Sequence, residues 1–548
     1  MPRLMGQMMQ TPLMISSLIV HAARHAGDTE IVSKRAEGDL HRYTYRDAEL
    51  RSRKVAQALA RLGCVAGDRV GTLAWNGYRH FELYYGTSGS ELVCHTINPR
   101  LFPEQIAWIV NDAQDKVLCF DLTFLPLVEK LAAMLPTVKH FVLMTDRAHM
   151  PAQTAVPNLL CYEDLVDAED GQYAWPEFDE NTASSICYTS GTTGNPKGAV
   201  YSHRSSVLHA FAAALPDSLG CSARDTILPV VPMFHVNAWG LPYACPLVGA
   251  KLVFPGPHLD GKSLYELFES EKVTFSAGVP TVWLGLLTYV QKNELKFSTF
   301  KRTVIGGSAC PPAMFDALEN DYGVEVIHAW GMTEMSPLGT VAKLNSKHRD
   351  ADRATRRKLL LTQGRAVYGV DMMVIDDDHK PVKWDGVSSG NLVVRGPWVI
   401  DTYFQQPGSP LLKIDGRSWF PTGDVAAIDE NGFMQITDRS KDVIKSGGEW
   451  ISSIDIENIA MSHPAVHEAA AIACRHPKWD ERPLLVVVPK PGATVTREEL
   501  LAFFDGRIAK WQIPDDVAFV TELPHTATGK LLKLKLRDQF KDHQLPSV

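Results

Sequence analysis

Residues 188–198 read Tyr-Thr-Ser-Gly-Thr-Thr-Gly-Asn-Pro-Lys-Gly. Thr189, Ser190, Thr192 and Thr193 carry hydroxyls, and Lys197 adds a flexible positive charge. Gly191, Gly194 and Gly198 admit backbone angles closed to other residues, so main-chain N–H groups can turn toward one point. Converging N–H and O–H donors with one cation suit a triphosphate, whose oxygens only accept hydrogen bonds and carry negative charge. The same composition also makes solvated linkers. The flanks favour a held loop, because 185–188 and 199–201 are short runs of buried-strand type. The spacing is not that of the common nucleotide loops. Lys197 is followed by Gly198 rather than Ser or Thr, and no G-x-G-x-x-G occurs in the stretch.

Further stretches carry chemistry in order along the chain. Residues 232–240 read Pro-Met-Phe-His-Val-Asn-Ala-Trp-Gly, where a His among aromatics is more often packed than working. Residues 303–311 are a strand followed by small side chains, which let a flat ring lie against backbone. A second strand at 324–327 leads into His328-Ala329-Trp330-Gly331-Met332-Thr333-Glu334. Asp424 closes Trp-Phe-Pro-Thr-Gly-Asp, and its two oxygens match a vicinal diol. Residues 438–449 are charged and glycine-bearing, as a domain linker is. Residues 523–530 end in Thr-Gly-Lys, a turn whose Lys530 would ordinarily be solvated.

Together these stretches resemble the signature motifs of the acyl-adenylate-forming superfamily. It comprises acyl-CoA synthetases, aryl-CoA ligases, luciferase-type enzymes and peptide-synthetase adenylation domains. The resemblance spans roughly residues 185 to 530 and implies a role for each match. Thr189, Ser190, Gly191, Thr192, Thr193, Gly194 and Lys197 would hold the phosphates of ATP. Gly307, Ser308 and Ala309 would cover one face of adenine and Trp330 would stack on the other, with His328, Ala329, Gly331 and Met332 among the nucleotide-binding residues. Trp330 stands where Tyr is usual, so a ring can stack but the phenolic hydroxyl is gone. Thr333 would hold the α-phosphate and Glu334 would bind Mg²⁺, a hard cation that prefers oxygen ligands. Asp424 and Arg439 would take the ribose. His235, Val236, Trp239, Gly307, Trp330 and Gly331 would line the acyl pocket, with His235 toward the thiol entry. Lys441 would be the hinge, Lys530 the catalytic lysine of adenylation, and Lys445, Gly447 and Gly448 the face presented for the thiol step.

The implied enzyme is an AMP-forming acyl-CoA ligase that consumes a carboxylic acid, ATP and coenzyme A. No carrier module follows residues 523–530, which favours a free thiol such as coenzyme A. Residues 13–19 and the Trp330 variant resemble a bacterial medium-chain subgroup that includes 3-(methylthio)propionyl-CoA ligases. Trp239 and Trp330 add bulk to the expected pocket, which favours a short or medium acid such as 3-(methylthio)propionate. An aryl-CoA ligase, a luciferase-like oxygenase and a non-catalytic nucleotide-sensing module stay open as alternatives.

The elements that must position these residues are legible. A chain of 548 residues exceeds one ordinary core, so more than one domain is expected. Strand and helix runs alternate through 44–144, which argues for α/β architecture with largely parallel sheets. The resemblance divides the chain into a large domain at 1–438 and a small mobile α/β domain at 439–548. Helices are expected at 13–27, 44–62, 78–88, 454–462 and 497–508, with capping boxes at Thr44/Asp47 and Thr496/Glu499. A net charge of −8 without a basic cluster disfavours nucleic acid and anionic membrane surfaces. Nine scattered cysteines without C-x-x-C fit a reducing cytoplasm. No 18-residue apolar run is present, so no membrane span is expected, and 1–19 makes a poor signal peptide. A homodimer is the family-level expectation.

Overall fold

The computed structural model describes residues 4–189, 195–447, 449–525 and 531–547. Its strands assort into four sheets of nine, seven, five and five strands. In the nine-stranded sheet, Glu325–Gly331, Arg302–Ile305, Phe275–Gly278, Thr226–Pro229, Lys251–Phe254 and Glu30–Lys34 run parallel as consecutive neighbours. In the seven-stranded sheet, Ala183–Tyr188 lies parallel to Val93–Thr96, which pairs in turn with Arg69–Leu73. Parallel neighbours need long crossovers. The helices read from the sequence supply them, for example Tyr78–Ser88 between Arg69–Leu73 and Val93–Thr96.

That helix is buried along its whole length because it lies between the two large sheets. Its Phe81, Tyr84 and Tyr85 pack with Phe254 and Phe275 of one sheet and with Cys94 and Cys187 of the other. Its charged residues are paired rather than solvated: Glu82 takes Arg51 at 2.7 Å, and Arg79 takes Glu37 and Glu163 at 2.7 Å each. All nine cysteines are buried and none is bridged.

The capping box at Thr44 is present. Thr44 Oγ1 accepts from Asp47 N–H at 3.3 Å, and the Asp47 carboxylate accepts from Thr44 N–H at 2.9 Å, opening the helix Tyr45–Arg61. The box at Thr496 is present too, but its helix is Arg497–Phe503, shorter than the expected 497–508. Asp505-Gly506 follows, with Gly506 at φ +72°, so the chain leaves helical space there. The opening helix contracts likewise to Ile15–His25.

One layer was not anticipated. Asp371–Ile375, Ser389–Arg395, Arg417–Ile428, Leu412–Ile414 and Met434–Arg439 form a wholly antiparallel sheet. Asp415-Gly416 and Asn431-Gly432, both turn-forming pairs, join its neighbouring strands. The last sheet centres on the hairpin of Val466–His476 and Asp480–Pro489, with Asp516–Phe519 parallel at one side. Ile444 and Ile451 share its core with Ile456, Leu485, Leu500 and Phe504. No helix among the described residues is long and apolar enough to cross a membrane.

Candidate active site

In open parallel sheets, loops at the carboxyl ends of strands converge where a ligand can sit. Four expected site segments occupy such positions. The loop at 189–197 follows Ala183–Tyr188, residues 232–240 follow Thr226–Pro229, residues 306–309 follow Arg302–Ile305, and residues 332–335 follow Glu325–Gly331.

The loop expected to hold phosphates is closed at its base. Thr189 N–H donates to Lys197 O at 2.9 Å, and Lys197 N–H donates to Thr189 Oγ1 at 3.2 Å. Ser190, Gly191, Thr192, Thr193 and Gly194 lie outside the described residues. Gly198 must be small: a Cβ there would meet Ile186 Cδ1 at 2.8 Å and Phe404 Cβ at 3.0 Å. The Lys197 ammonium lies 4.9 Å from the ring centroid of Tyr403. The Tyr403 hydroxyl donates to Glu334 Oε1 at 2.7 Å. Burial, and next the Glu334 charge, hold the Tyr403 phenol above its usual range.

Trp330 is buried against Gly339, where a Cβ would meet its ring at 2.6 Å. Its indole N–H donates to Asp424 Oδ2 at 3.0 Å. The other Asp424 oxygen takes Arg439 Nε at 2.8 Å. Thr333 is buried and its carbonyl accepts from the Tyr201 hydroxyl at 2.5 Å. His328 turns inward: Nε2 accepts from Cys310 N–H at 3.3 Å and Nδ1 faces Leu361 O at 3.0 Å. Burial pushes that imidazole down to about 4. Its ring is therefore engaged by the core. Ala329 is also buried, Gly331 and Met332 are half-buried, and Gly307, Ser308 and Ala309 are exposed.

The segment expected to line an acyl pocket has an unusual backbone. Val236, Asn237, Ala238, Trp239 and Gly240 all have positive φ, from +48° to +77°. This is one turn of left-handed helix, which costs non-glycine residues about 1–2 kcal/mol each. Asn237 fastens it. Its Nδ2 donates to Ser185 Oγ at 3.0 Å and Tyr243 Oη at 3.3 Å, and its Oδ1 accepts from Cys187 Sγ at 3.2 Å. Ser185 and Cys187 lie on the strand Ala183–Tyr188, which leads into residues 189–197. The turn aims Trp239 at the 306–307 backbone, where a Cβ on Gly306 would meet its ring at 3.1 Å. His235 is half-buried at the start of the turn, and Val236 is buried.

Lys441 and Lys445 are exposed, and Lys445 N–H donates to Glu481 Oε2 at 2.8 Å. Gly447 has φ +60°, and a Cβ there would meet the Trp479 ring at 2.7 Å. Gly448 and Lys530 lie outside the described residues. Nearby, Asp442 takes Arg537 at 2.7 Å. Upstream, the buried Asp438 accepts from Ser453 N–H at 2.6 Å, tying the strand Met434–Arg439 to the helix Ser453–Met461.

The structure thus brings Trp330, Asp424 and Arg439 into direct contact, links Lys197 to Glu334 through Tyr403, and sets Trp239 over residues 306–307. The sequence reading missed Tyr403, Asn237, Gly306 and Gly339. Asn237 left a trace there, as the one amide in a run of apolar and aromatic residues. Tyr403 left none. Among the described residues, one set of metal-ligand atoms clusters, on Glu37, Asp146 and His149, and Glu334 is not part of it. Its carboxylates are already met by Arg79 at 2.7 Å and Arg35 at 3.2 Å.

The sequence matches the "AMP-binding enzyme" family over residues 19–404 and the "AMP-binding enzyme C-terminal domain" over 455–530. It is 55% identical over 98% of its length, and 99% of the relative's, to a 3-methylmercaptopropionyl-CoA ligase of Ruegeria lacuscaerulensis. It is 53% identical, over 99% of both chains, to a medium-chain-fatty-acid–CoA ligase of Ectopseudomonas oleovorans. Among solved structures it resembles the anthranilate CoA ligase AuaEII in complex with anthranoyl-AMP, at TM-score 0.83 and 25% identity over 97% of this chain and 98% of that one. Motif order, sheet architecture and full-length likeness agree, and the chain belongs to the AMP-binding enzyme family.

Proposed function

We propose that this enzyme is an ATP-dependent acyl-CoA ligase whose acid is 3-(methylthio)propionate or a straight acid of similar length. Relatives above half identity across the whole chain bear CoA-ligase names, one for 3-methylmercaptopropionate and one for medium-chain fatty acids. The observation that carries the nucleotide half is Asp424. It is 1% exposed, and Arg439 and Trp330 hold one oxygen each, which orients a two-oxygen acceptor of the kind a ribose diol needs. Trp239, pressed on residues 306–307, supports a short pocket.

The chemistry follows from the anions involved. A carboxylate oxygen attacks the α-phosphorus, the bond to the β-phosphate breaks, and pyrophosphate leaves. Lys197 and the loop donors would hold the phosphates. Glu334 fits a Mg²⁺ ligand: it is 7% exposed and meets a neutral hydroxyl rather than a cation among the described residues. Bound there, Mg²⁺ would offset phosphate charge. Lys530 would bridge the carboxylate and the α-phosphate, a preorganised contact whose loss costs roughly 10²–10³ in rate. In the second step the coenzyme A sulfur attacks the acyl-adenylate carbonyl and AMP leaves. Residues 439–548 would turn about Lys441, withdraw Lys530 and present Lys445, Gly447 and Gly448. His235 would stand between acid and thiol. Nine buried thiols and the absence of a membrane-length helix among the described residues support a cytoplasmic setting. The expected homodimer would elute at twice the chain mass.

The test is coenzyme A-dependent AMP release across 3-(methylthio)propionate, acetate, butyrate, hexanoate, decanoate and benzoate. The highest kcat/KM is expected with the methylthio acid, with butyrate and hexanoate close behind. A maximum at benzoate or decanoate would overturn the acid assignment, and no AMP from any acid would overturn the ligase. Lys530→Ala should lose adenylate formation and keep thioester formation from supplied acyl-adenylate. Equal loss in both half-reactions would overturn the two-conformation scheme.

A further inference from the structure

We propose that Tyr403 is a positioning residue that keeps Lys197 and Glu334 apart and presents both to the metal-bearing triphosphate. The proposal rests on the reading of Lys197 as a phosphate group holder and Glu334 as a Mg²⁺ ligand.

Lys197 and Glu334 both contact one tyrosine, through different parts of it. The ammonium faces the ring, 4.9 Å from its centroid, and the carboxylate accepts from the hydroxyl at 2.7 Å. No ion pair joins them to each other or to another described residue. Two opposite charges this near one ring would attract strongly in a partly buried site. A direct pair would satisfy each with the other. An incoming triphosphate and its cation would then have to break that pair, because the lysine must meet phosphate and the carboxylate must meet metal. Tyr403 offers each charge a neutral seat. The ring face attracts a cation weakly, and the hydroxyl orients a carboxylate without neutralising it. Both charges are therefore retained and aimed.

The backbone supports this role. Ile400 N–H donates to the Glu334 carbonyl at 2.9 Å. Phe404 N–H donates to the carbonyl of Gly198, the residue after Lys197, at 2.8 Å. The segment carrying Tyr403 is thus stitched at one end to Glu334 itself and at the other to the loop exit. Phe420 lies 6.3 Å from the Tyr403 ring, centroid to centroid. Any displacement of the phosphate loop or of Glu334 is felt by the residue that aims them both.

The experiment compares Tyr403→Phe, which keeps the ring and removes the hydroxyl, with Tyr403→Leu, which removes both. Three quantities are read on the full-length enzyme: the Mg²⁺ concentration for half-maximal rate, the calorimetric dissociation constant of Mg·ATP, and that of ATP in excess chelator. For Tyr403→Phe, Mg²⁺ half-saturation should rise roughly tenfold, as when an outer partner of a metal ligand is lost. Metal-free ATP binding should stay within about twofold, since the lysine keeps its ring. Tyr403→Leu should in addition weaken metal-free ATP binding about threefold or more. Tyr403→Phe combined with Glu334→Gln should shift Mg²⁺ dependence no further than Glu334→Gln alone, because the hydroxyl acts through that carboxylate. An unchanged Mg²⁺ dependence in Tyr403→Phe overturns the proposal when Glu334→Gln shifts it. If Glu334→Gln leaves it unchanged too, the assignment of Glu334 fails first, and the proposal with it. Thermal melting accompanies each variant, and where Tyr403→Leu does not fold, Tyr403→Phe decides.

Discussion

The indole N–H of Trp330 and the carboxylate of Asp424 are hydrogen-bonded at 3.0 Å, although 94 residues separate them in the chain. The sequence placed a tryptophan where the family commonly has tyrosine and so removed a hydroxyl. The structure shows that the same residue brings its own donor and spends it on the carboxylate expected to bind ribose. Arg439 holds the second oxygen at 2.8 Å. Asp424 is therefore held from both sides.

Trp330→Phe keeps an aromatic face and removes only the N–H. A hydrogen bond to a charged group is worth about 1.5–3 kcal/mol, so KM for ATP should rise roughly tenfold or more. kcat at saturating ATP should change little, because the contact is made in the ground state as well. Initial rates against ATP at saturating acid and coenzyme A check this. A fall in kcat with KM unchanged would place Trp330 in the chemical step instead.

Asn237→Ala removes the amide that fastens five consecutive left-handed residues to the strand Ala183–Tyr188. The buried Ser185 and Cys187 each lose the contact with that amide, while Cys187 keeps Thr96 at 3.2 Å, and a stability loss of about 1–3 kcal/mol is expected in urea unfolding. The turn then no longer pins Trp239 over residue 306. The kcat/KM ratio of decanoate to butyrate should rise about tenfold, the scale of a methylene or two of pocket space. Trp239→Ala should raise the same ratio by opening the space directly. If Asn237→Ala destabilises the protein and leaves the ratio unchanged, the amide acts on the fold alone.

His328 gives a pH dependence of known sign. Its folded pKa is lowered by burial to about 4 from 6.5. The folded chain keeps it neutral while the unfolded chain protonates it, so its contribution is fully present above pH 6.5 and is lost as pH falls toward 4. The full effect is about 3 kcal/mol, each pKa unit being worth 1.36 kcal/mol. His80 and His203, also at about 4, act in the same direction. His328→Gln should be less stable than the parent at pH 7.5, with a flatter loss of stability between pH 6.5 and 4.5. Urea midpoints at these pH values check it, and an unchanged slope would mean that His328 is already protonated in the fold.

What is local can be read from the chain alone. Loop chemistry at 188–198, strand–helix alternation, the capping boxes at Thr44 and Thr496 and the order of motifs all depend on residues within a few positions of one another. Helix length was less legible, as the early end at Phe503 shows, because a Gly two or three residues further on decides where helical angles stop. The antiparallel layer through 371–439 was present only as turn signals, since its pairing joins strands across long intervals. Tertiary structure alone decided the partnerships. Tyr403 meets Glu334 across 69 residues, and Asn237 meets Ser185 across 52. Which tyrosine or asparagine comes to stand beside which charge depends on how sheets stack and loops close. Local spacing carries no information about that, because contact in space is set by the packing of whole elements rather than by periodicity along the chain.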